Sequence, residues 1–484
     1  MAKTRPKKTS SSAPAAPAPM MAARPGAKGK SVAAKAATPA KAKAAAAKAK
    51  PAAKPAKASK APAGKKWTVM VYLAGDNNLD AAGVTDIAEM KKVGSDANIN
   101  VLVQFDRAGG KGKTVRYCLK KGTTVKQDEV QVLGETNMGD PAVMLDFLNW
   151  GIANYPADHY LVVLWNHGAG WDDSNVFEGD AFGGAAPPVV RKGHTIAGKG
   201  TRSAVSFAVA RAGVRRARRA LFRSTVAKVA TTRAIAFDDE AQDFLDNVEM
   251  KKVLATAAKT LKRKIDIVGF DACLMSMAEV AYQIRSTAAY TVGSEQTEPN
   301  DGWPYDRVLA ALAVKPTMTP ADFSKEIVKH YLASYGKTSN VTLAATDLAA
   351  IPDVAKALNE LGKALLTVLK QANGLTPILV ARQQVQEYEP PYDEYVDLID
   401  LCQLLDAQVR TPAVSAACKA VTTAVGKAVI ASGAKGPGVA NSHGLSVYFP
   451  KKRLCKLYST LDITKKNTWD GFLKAYVEKA GKRP

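Results

Sequence analysis

The sequence is poor in the residue types that build disulfide frameworks and metal centres. It has only five cysteines and five histidines in 484 residues, and they are widely scattered. No CxxC pair occurs, so neither a disulfide scaffold nor a zinc ribbon is expected. A metal hydrolase would need several clustered His, Asp or Glu ligands, which the dispersed histidines do not supply. A phosphate-binding loop of the GxGxxG or GxxxxGK[ST] type is also missing.

Long apolar runs are absent as well. No stretch approaches the ~18 consecutive apolar residues of a membrane span. Several prolines interrupt residues 13–23, which otherwise come nearest to the apolar part of a signal peptide. We therefore predict a chain without a membrane span, which resides in the cytoplasm by default, with export left open.

Acidic residues are missing from two segments that carry most of the positive charge. Residues 1–66 contain 17 Lys or Arg, and residues 187–236 contain 12. Without these 29 charges the net charge of +24 becomes −5, so the remaining chain is not a basic surface. The Ala, Lys, Pro and Ser composition of 1–66 predicts a disordered tail. This tail is either a solvated spacer or a nonspecific binder of polyanions.

Alternating strand and helix patterns predict an α/β fold with a mostly parallel sheet flanked by helices. The predicted strands cover residues 67–73, 101–105, 115–119, 129–133, 160–165, 265–270 and 290–294. The predicted helices in this part cover residues 79–93, 141–155 and 274–284. We assign 67–314 to one domain that contains a basic insertion at 172–234. The region 315–484 is predicted to be rich in helices, with 395–405 helical and one strand at 444–449.

Two of the predicted strands are followed by reactive residues. The strand at 160–165 precedes Asn166-His-Gly168, and the strand at 265–270 precedes Asp271-Ala-Cys273. Ligand chemistry in open α/β sheets collects beyond the carboxyl ends of the strands. His167 and Cys273 are therefore expected to meet at one edge of the sheet, as a thiol nucleophile and its proton-transfer partner must.

The neighbours of these two residues fit the same chemistry. The backbone N–H groups of Gly168 and Cys273 could bind a developing oxyanion. Cys273 is predicted to open the helix at 274–284, where the helix dipole would favour a thiolate. A phosphatase would want an arginine soon after the cysteine, and 274–284 has none. Purely structural roles are the alternatives. His167 could lie in a tight turn, Cys273 could be an inert core residue, and Asp271 could cap a helix instead of facing a substrate cation.

Several motifs together resemble the clostripain family of cysteine peptidases. They extend from Trp67 to the C-terminus and leave out the tail and most of the insertion. The motifs are Trp67-Thr-Val-Met-Val-Tyr-Leu-Ala-Gly-Asp-Asn-Asn-Leu79, Trp165-Asn-His-Gly168, Phe237-Asp-Asp239, Phe270-Asp-Ala-Cys-Leu-Met-Ser276, Ser294-Glu-Gln-Thr-Glu-Pro299, Gly302-Trp-Pro-Tyr305 and Asn441-Ser-His-Gly-Leu-Ser-Val-Tyr-Phe-Pro450.

The resemblance implies a caspase-like three-layer αβα sandwich and an endopeptidase that cleaves protein or peptide substrates after Arg or Lys. It implies that His167 is the general base and acid, and that Cys273 is the nucleophile. Asp271 would line the pocket for the basic side chain. Asp301 is a second candidate for this pocket, with Glu295 and Glu298 as its competitors.

The resemblance has two further implications. The family is commonly activated by cleavage between the His and Cys segments, which makes the insertion a candidate activation loop of a zymogen. Its processing candidates are Arg211, Arg215, Arg216, Arg218, Arg219 and Arg223. No cofactor is required by the sequence, although family resemblance makes Ca²⁺ an option, with acidic loops at 172–173 and 238–240 as ligands. The alternatives are a solvated basic loop and a non-catalytic caspase-like scaffold with a polyanion-binding tail.

Overall fold

The computed structural model describes residues 64–109, 113–171, 234–238, 243–388 and 394–481. The predicted tail up to residue 63 and the predicted activation insertion up to 233 therefore lie outside the described residues. Residues from Pro62 to Pro484 form one compact unit.

The strands form one large sheet and two small ones. The order in the nine-stranded sheet is β13-β10-β9-β8-β5-β1-β2-β3-β4. The small sheets are β11-β12-β14 and β6-β7. The strands are β1 (Lys65–Gly75), β2 (Ile99–Arg107), β3 (Thr114–Cys118), β4 (Glu129–Gly134), β5 (Ala157–Trp165), β6 (Ala234–Asp238), β7 (Asp243–Asp246), β8 (Ile265–Asp271), β9 (Ala288–Gly293), β10 (Val341–Asp347), β11 (Glu387–Tyr388), β12 (Tyr395–Asp397), β13 (Val429–Lys435) and β14 (Ser446–Tyr448).

Eleven α-helices occur in the described residues. They are α1 (Asp80–Val93), α2 (Pro141–Asn154), α3 (Asn247–Leu261), α4 (Ala278–Ile284), α5 (Tyr305–Val314), α6 (Pro320–Ser334), α7 (Ile351–Leu369), α8 (Leu375–Gln384), α9 (Leu398–Val409), α10 (Pro412–Ala428) and α11 (Trp469–Ala480). Local signals explain several of their starts. Asp140 caps α2 with Pro141 in its first turn, and Asp246 with Glu249 forms a capping box on α3.

Helices cover both faces of the large sheet because side chains alternate along its buried strands. Met70 and Tyr72 of β1 belong to one core cluster, which includes side chains of α2, α3, α4 and α7. Val69 and Val71 belong to the other, which includes side chains of α1, α5 and α6. This arrangement confirms the predicted three-layer αβα sandwich.

The centre of the sheet is parallel and its margins are antiparallel. β1 pairs in parallel with β2 and β5, and β8 pairs in parallel with β5 and β9. β3 and β4 extend one margin, and β10 and β13 extend the other, all antiparallel. The carboxyl ends of the five central strands therefore lie at one edge.

The C-terminal region contributes more strands than the sequence suggested. The predicted strand at 444–449 is the short β14 of a small sheet, while β10 and β13 were not predicted and join the large sheet. Both contain alanines with low β propensity, and packing against α6 overrides that preference. The predicted helix at 395–405 begins as β12 and turns helical at Leu398, because Asp397 caps α9.

Among the described residues, no helix combines the length and the apolar character that a membrane crossing would need.

Candidate active site

The register of the sheet brings His167 and Cys273 together. β5 and β8 pair in parallel with Trp165 opposite Asp271. His167 lies two residues beyond Trp165, and Cys273 lies two residues beyond Asp271. The two side chains are 7% and 8% exposed and line the same cavity, which has a volume of about 30 Å³. The predicted meeting at one sheet edge therefore matches the geometry.

The imidazole of His167 is held from the end of β1. Its Nε2 lies 3.0 Å from Oδ1 of Asn78, while Asn166 Oδ1 accepts the His167 N–H. Asn166 Nδ2 in turn donates to the Ala74 carbonyl at 2.6 Å. A ring proton on Nε2, donated to Oδ1 of Asn78, would leave the lone pair of a base on Nδ1. Burial lowers the pKa of His167 to about 4, so the ring is neutral near pH 7.

Cys273 lies in a loop and not at a helix start, which corrects the sequence prediction. α4 begins only at Ala278. The chain first turns at Leu274, which has a φ of 64° and donates its N–H to the Gln296 carbonyl at 3.2 Å. Ser276 N–H donates to the Ser294 carbonyl at 2.8 Å. These bonds tie the cysteine loop to the segment after β9, so a helix dipole does not support the thiolate.

The sulfur of Cys273 faces the backbone of Glu298. The Glu298 N–H donates to Sγ at 3.3 Å, and the Glu298 carbonyl oxygen lies 3.9 Å from Sγ. The Glu298 backbone therefore contacts the sulfur twice, as the donor of its N–H and as the carbonyl acceptor of the Sγ–H.

Gly168 lies directly against the backbone of Cys273. A Cβ atom at position 168 would come within 2.3 Å of the Cys273 carbonyl oxygen and 2.9 Å of its nitrogen. Only glycine permits this approach. The close contact places the two candidate oxyanion donors, at Gly168 and Cys273, in neighbouring backbone segments.

Asp271 ends β8 beneath the cavity and does not cap a helix. Its Oδ2 accepts the Tyr305 hydroxyl at 2.8 Å and the Trp303 N–H at 3.4 Å. The side chain is buried, and burial raises the pKa of Asp271 to about 6. Gly302, with a φ of 48°, packs on the carboxylate, since a Cβ there would lie 2.8 Å from Oδ1.

Glu298 and Asp86 add two further carboxyl groups near Asp271. Both carboxyl oxygens of Glu298 are buried, and its carboxyl group forms hydrogen bonds with the side chains of Asp271 and Trp303. Burial, and then the charge of Asp271, raise the pKa of Glu298 well above its usual value. Asp86 of α1 accepts the Trp165 Nε1–H at 2.6 Å, and burial together with Asp271 raises its pKa as well. This part of the protein thus holds more acidic groups than it can keep ionised.

The other acidic candidates lie elsewhere in the same loop. Glu298 lines the cavity, while Asp301 and Glu295 do not. Glu295 instead accepts the Gly444 N–H at 2.8 Å. Among the described residues, the cavity lining includes no lysine or arginine. The acidic wall of the cavity is therefore built by Asp271 and Glu298.

The other described histidines lie away from the cavity. His159 lies at the opposite sheet edge, where its Nδ1 is 3.0 Å from Asp266 Oδ1. His443 Nδ1 lies 2.9 Å from Oδ1 of Asp397. These positions agree with the choice of His167 among the histidines. His194 and the six processing candidates from Arg211 to Arg223 lie outside the described residues.

One cluster of carboxylates has the oxygen ligands that Ca²⁺ prefers. Oxygen atoms of Asp76, Asp106 and Glu135 lie within 4.8 Å of one another. Three carboxylates are a partial set, since Ca²⁺ takes six to eight oxygen ligands. The cluster differs from the acidic loops suggested by the sequence, of which 172–173, 239 and 240 lie outside the described residues.

Sequence reasoning missed Asn78, Asp86 and Tyr305. Asn78 stands in a turn-rich stretch after β1, at the same sheet edge as His167, which was an available signal. Asp86 lies next to Ile87 on the buried face of α1. A buried acidic residue is uncommon unless it has a partner, which was the available signal. The contact of Tyr305 with Asp271 depends on tertiary folding and had no local signal.

Comparison with known proteins identifies the relatives of this fold and site. The sequence profile of the clostripain family matches residues 71–181 and 224–476. The chain belongs to the clostripain family. Clostripain of Hathewaya histolytica is 25% identical over 273 residues, which cover 51% of this chain and 42% of that protein. The chain thus spans less than half the length of that curated relative.

Two solved structures of C11 cysteine proteases share the fold. A secreted protease from Bacteroides thetaiotaomicron, bound to an irreversible peptide inhibitor, has a TM-score of 0.54 at 21% identity, covering 84% of this chain and 99% of that one. An inactive zymogen from Parabacteroides distasonis has a TM-score of 0.56 at 19% identity, with coverages of 84% and 99%. The caspase-like fold of this clostripain-family member is therefore confirmed.

Proposed function

We propose that this clostripain-family protein is a cysteine endopeptidase that cleaves after Arg or Lys. The observation that carries the proposal is the shared cavity of His167 and Cys273, with the carboxyl groups of Asp271 and Glu298 in its wall. The cavity thus combines a nucleophile, a base and a site for a positive charge. A non-catalytic scaffold would need none of these groups to converge.

The proposed reaction follows from the roles of the two side chains. His167 accepts the Cys273 proton, and the sulfur attacks the carbonyl carbon of the scissile peptide bond. The Gly168 and Cys273 N–H groups stabilise the tetrahedral oxyanion. His167 then protonates the leaving amine as the C–N bond breaks and a thioester remains. Water, deprotonated by His167, hydrolyses the thioester, and the proton returns to the sulfur.

The preference for basic side chains rests on the buried carboxyl groups. A guanidinium or ammonium group would form charge-assisted hydrogen bonds with Asp271 and Glu298. A neutral side chain would leave them desolvated and unpaired, which is costly. The pocket therefore discriminates by charge.

We also propose that the chain is made as a zymogen, cut between His167 and Cys273. Support comes from the basic insertion, which offers Arg211, Arg215, Arg216, Arg218, Arg219 and Arg223 to an enzyme of this specificity. The relative from Parabacteroides distasonis is described as an inactive zymogen.

The test is a series of peptide amides that differ only at the residue before the cleaved bond. We expect cleavage after Arg and Lys and a loss of about 100-fold or more when citrulline replaces Arg, because citrulline keeps the shape but lacks the charge. Rates are measured by chromatography. Equal rates for Arg and citrulline would refute the specificity, and no cleavage of any peptide by intact or split chain would refute the activity.

Other properties remain proposals from the sequence and the resemblance. Polyanion binding is proposed for the tail 1–66 alone, and dependence on Ca²⁺ from the resemblance alone. Cytoplasmic residence remains a prediction, whereas the relative from Bacteroides thetaiotaomicron is described as secreted. A non-catalytic scaffold remains the alternative function, which polyanion binding after deletion of 1–66 would favour.

A further inference from the structure

Glu298 contacts both parts of the candidate active site. Its backbone N–H and carbonyl lie 3.3 Å and 3.9 Å from the sulfur of Cys273. Its side chain lines the cavity beside Asp271, with both carboxyl oxygens buried and a hydrogen bond between the carboxyl groups of Glu298 and Asp271. The nucleophile and the acidic wall are therefore joined through a single residue.

The cavity is small in this arrangement. Its volume of about 30 Å³ has room for about two water molecules, since a water needs ~10–15 Å³ on this measure. Glu298, Pro299, Asn300 and Gly302 form part of its wall. An outward shift of this short segment would widen the path of a basic side chain to Asp271.

The segment is held at both ends but not at Glu298. Upstream, Gln296 accepts the Leu274 N–H at 3.2 Å. Downstream, Gly302 donates its N–H to the Pro299 carbonyl at 3.0 Å and accepts the Tyr335 hydroxyl at 2.7 Å. Between these anchors, the Glu298 backbone contacts the sulfur of Cys273 at 3.3 Å and 3.9 Å, and a shift at Glu298 would give up these two contacts and expose the sulfur.

One polar atom near Glu298 lacks a partner. The Tyr331 hydroxyl is buried without a hydrogen bond. Tyr331 is close enough to Glu298, Asp271 and Cys273 for their charges to act on it. Buried polar groups without partners are costly, so this closed arrangement is destabilised relative to one that holds a cation.

We propose that Glu298 is a specificity-determining residue that couples recognition of the basic side chain to exposure of the Cys273 sulfur. This inference rests on the proposed cleavage after Arg or Lys. The entering cation pairs with the carboxylates of Glu298 and Asp271, the segment 298–300 moves outward, and the Glu298 N–H leaves Sγ. A neutral side chain does not pair with Glu298, so the sulfur stays covered.

The coupling can be measured without a substrate. The full chain is treated with iodoacetamide, alone or with n-butylguanidine, which carries the end of an arginine side chain. Alkylation of Cys273 is followed by mass spectrometry of its peptide. We expect n-butylguanidine to accelerate alkylation by about tenfold, since an open state populated to about 10% or less becomes dominant. The neutral isostere n-butylurea should have no effect.

Two variants assign the effect to one carboxyl group. Glu298→Gln should abolish the acceleration, while Asp301→Asn, in the same loop but outside the cavity wall, should retain it. Thermal unfolding checks that both variants are folded, and the wild-type comparison of the two ligands needs no variant. Protection, no acceleration, an equal effect of n-butylurea, or retention of the effect in Glu298→Gln would overturn the proposal.

The coupling and the proposed function can fail separately. If arginyl peptides are cleaved and n-butylguanidine does not accelerate alkylation, the coupling is wrong and the specificity stands. If arginyl peptides are not cleaved better than citrulline peptides, the specificity is wrong whatever the alkylation result.

Discussion

Replacement of Cys273 by alanine is expected to lower peptide cleavage by a factor of about 10⁴ or more, the range found when a covalent nucleophile is removed. The same variant should remain a single chain, because the proposed cut between His167 and Cys273 is made by the enzyme itself. The sulfur is the atom that forms the thioester, so without it the imidazole of His167 has no thiol to activate. Peptide kinetics and gel electrophoresis of the purified chain measure both effects.

The matched control is Cys402→Ala. Cys402 is also buried, in α9, but it does not line the cavity. Its replacement should change stability without changing chain splitting or the ratio of arginyl to citrulline cleavage. Splitting that persists in Cys273→Ala, free of contaminating protease, would show that the cut is made by another enzyme or by another residue.

Replacement of Asp271 by asparagine is expected to reduce cleavage after Arg by about 10²- to 10³-fold, the cost of removing one partner of a buried charge pair. Cleavage after citrulline should change far less, since asparagine keeps the shape of the side chain. The preference for Arg over citrulline should therefore nearly vanish. Rates on the two matched peptides give the ratio directly.

The same substitution should stabilise the fold near neutral pH. A rise in the pKa of Asp271 from 3.8 to about 6 corresponds to about 3 kcal/mol of destabilisation when the group is ionised. The folded state binds this proton more tightly than the unfolded state, so the contribution to the free energy of unfolding falls as pH rises from about 4 to about 6. We expect the free energy of unfolding of Asp271→Asn to exceed that of the wild type by about 1–2 kcal/mol at pH 7 and by little at pH 4. The gain at pH 7 is smaller than the full destabilisation because asparagine accepts a weaker hydrogen bond from Tyr305.

Asp266→Asn is the matched control, because it replaces another aspartate of β8 that lies away from the cavity. Asp266 begins the same strand at the opposite sheet edge, where it accepts hydrogen bonds from the Tyr160 N–H and from Arg263. Its replacement should destabilise the protein and leave the Arg preference unchanged. A loss of Arg preference in Asp266→Asn comparable to that in Asp271→Asn would contradict the assignment of the pocket.

The convergence of His167 and Cys273 could be predicted because it depends on local patterns. Each residue follows an apolar strand, and parallel neighbours align their carboxyl ends. In the observed register Trp165 lies opposite Asp271. His167 and Cys273 each lie two residues beyond this pair. The antiparallel margin formed by β10 and β13 was harder to predict, because these strands carry alanines that resemble helical segments, whereas β3 and β4 at the other margin were predicted as strands.

The surroundings of the sulfur could not be predicted from local sequence. The pattern at 274–284 suits a helix, but the bonds of Leu274 and Ser276 to the segment after β9 delay its start to Ala278. Which acidic residue of that segment faces the cavity also depends on tertiary contacts. The hydroxyls of Tyr305 and Tyr335 fix the chain near Asp271 and Gly302, so Glu298 faces the cavity.

The most direct test of the central claim is the site of covalent labelling by a tripeptide chloromethyl ketone that ends in arginine. The reagent has five cysteines to choose from. We predict one label per chain, on Cys273, and little labelling by the matched reagent that ends in norleucine. Labelling of another cysteine, or equal labelling of Cys273 by the norleucine reagent, would contradict a thiol nucleophile served by an acidic pocket.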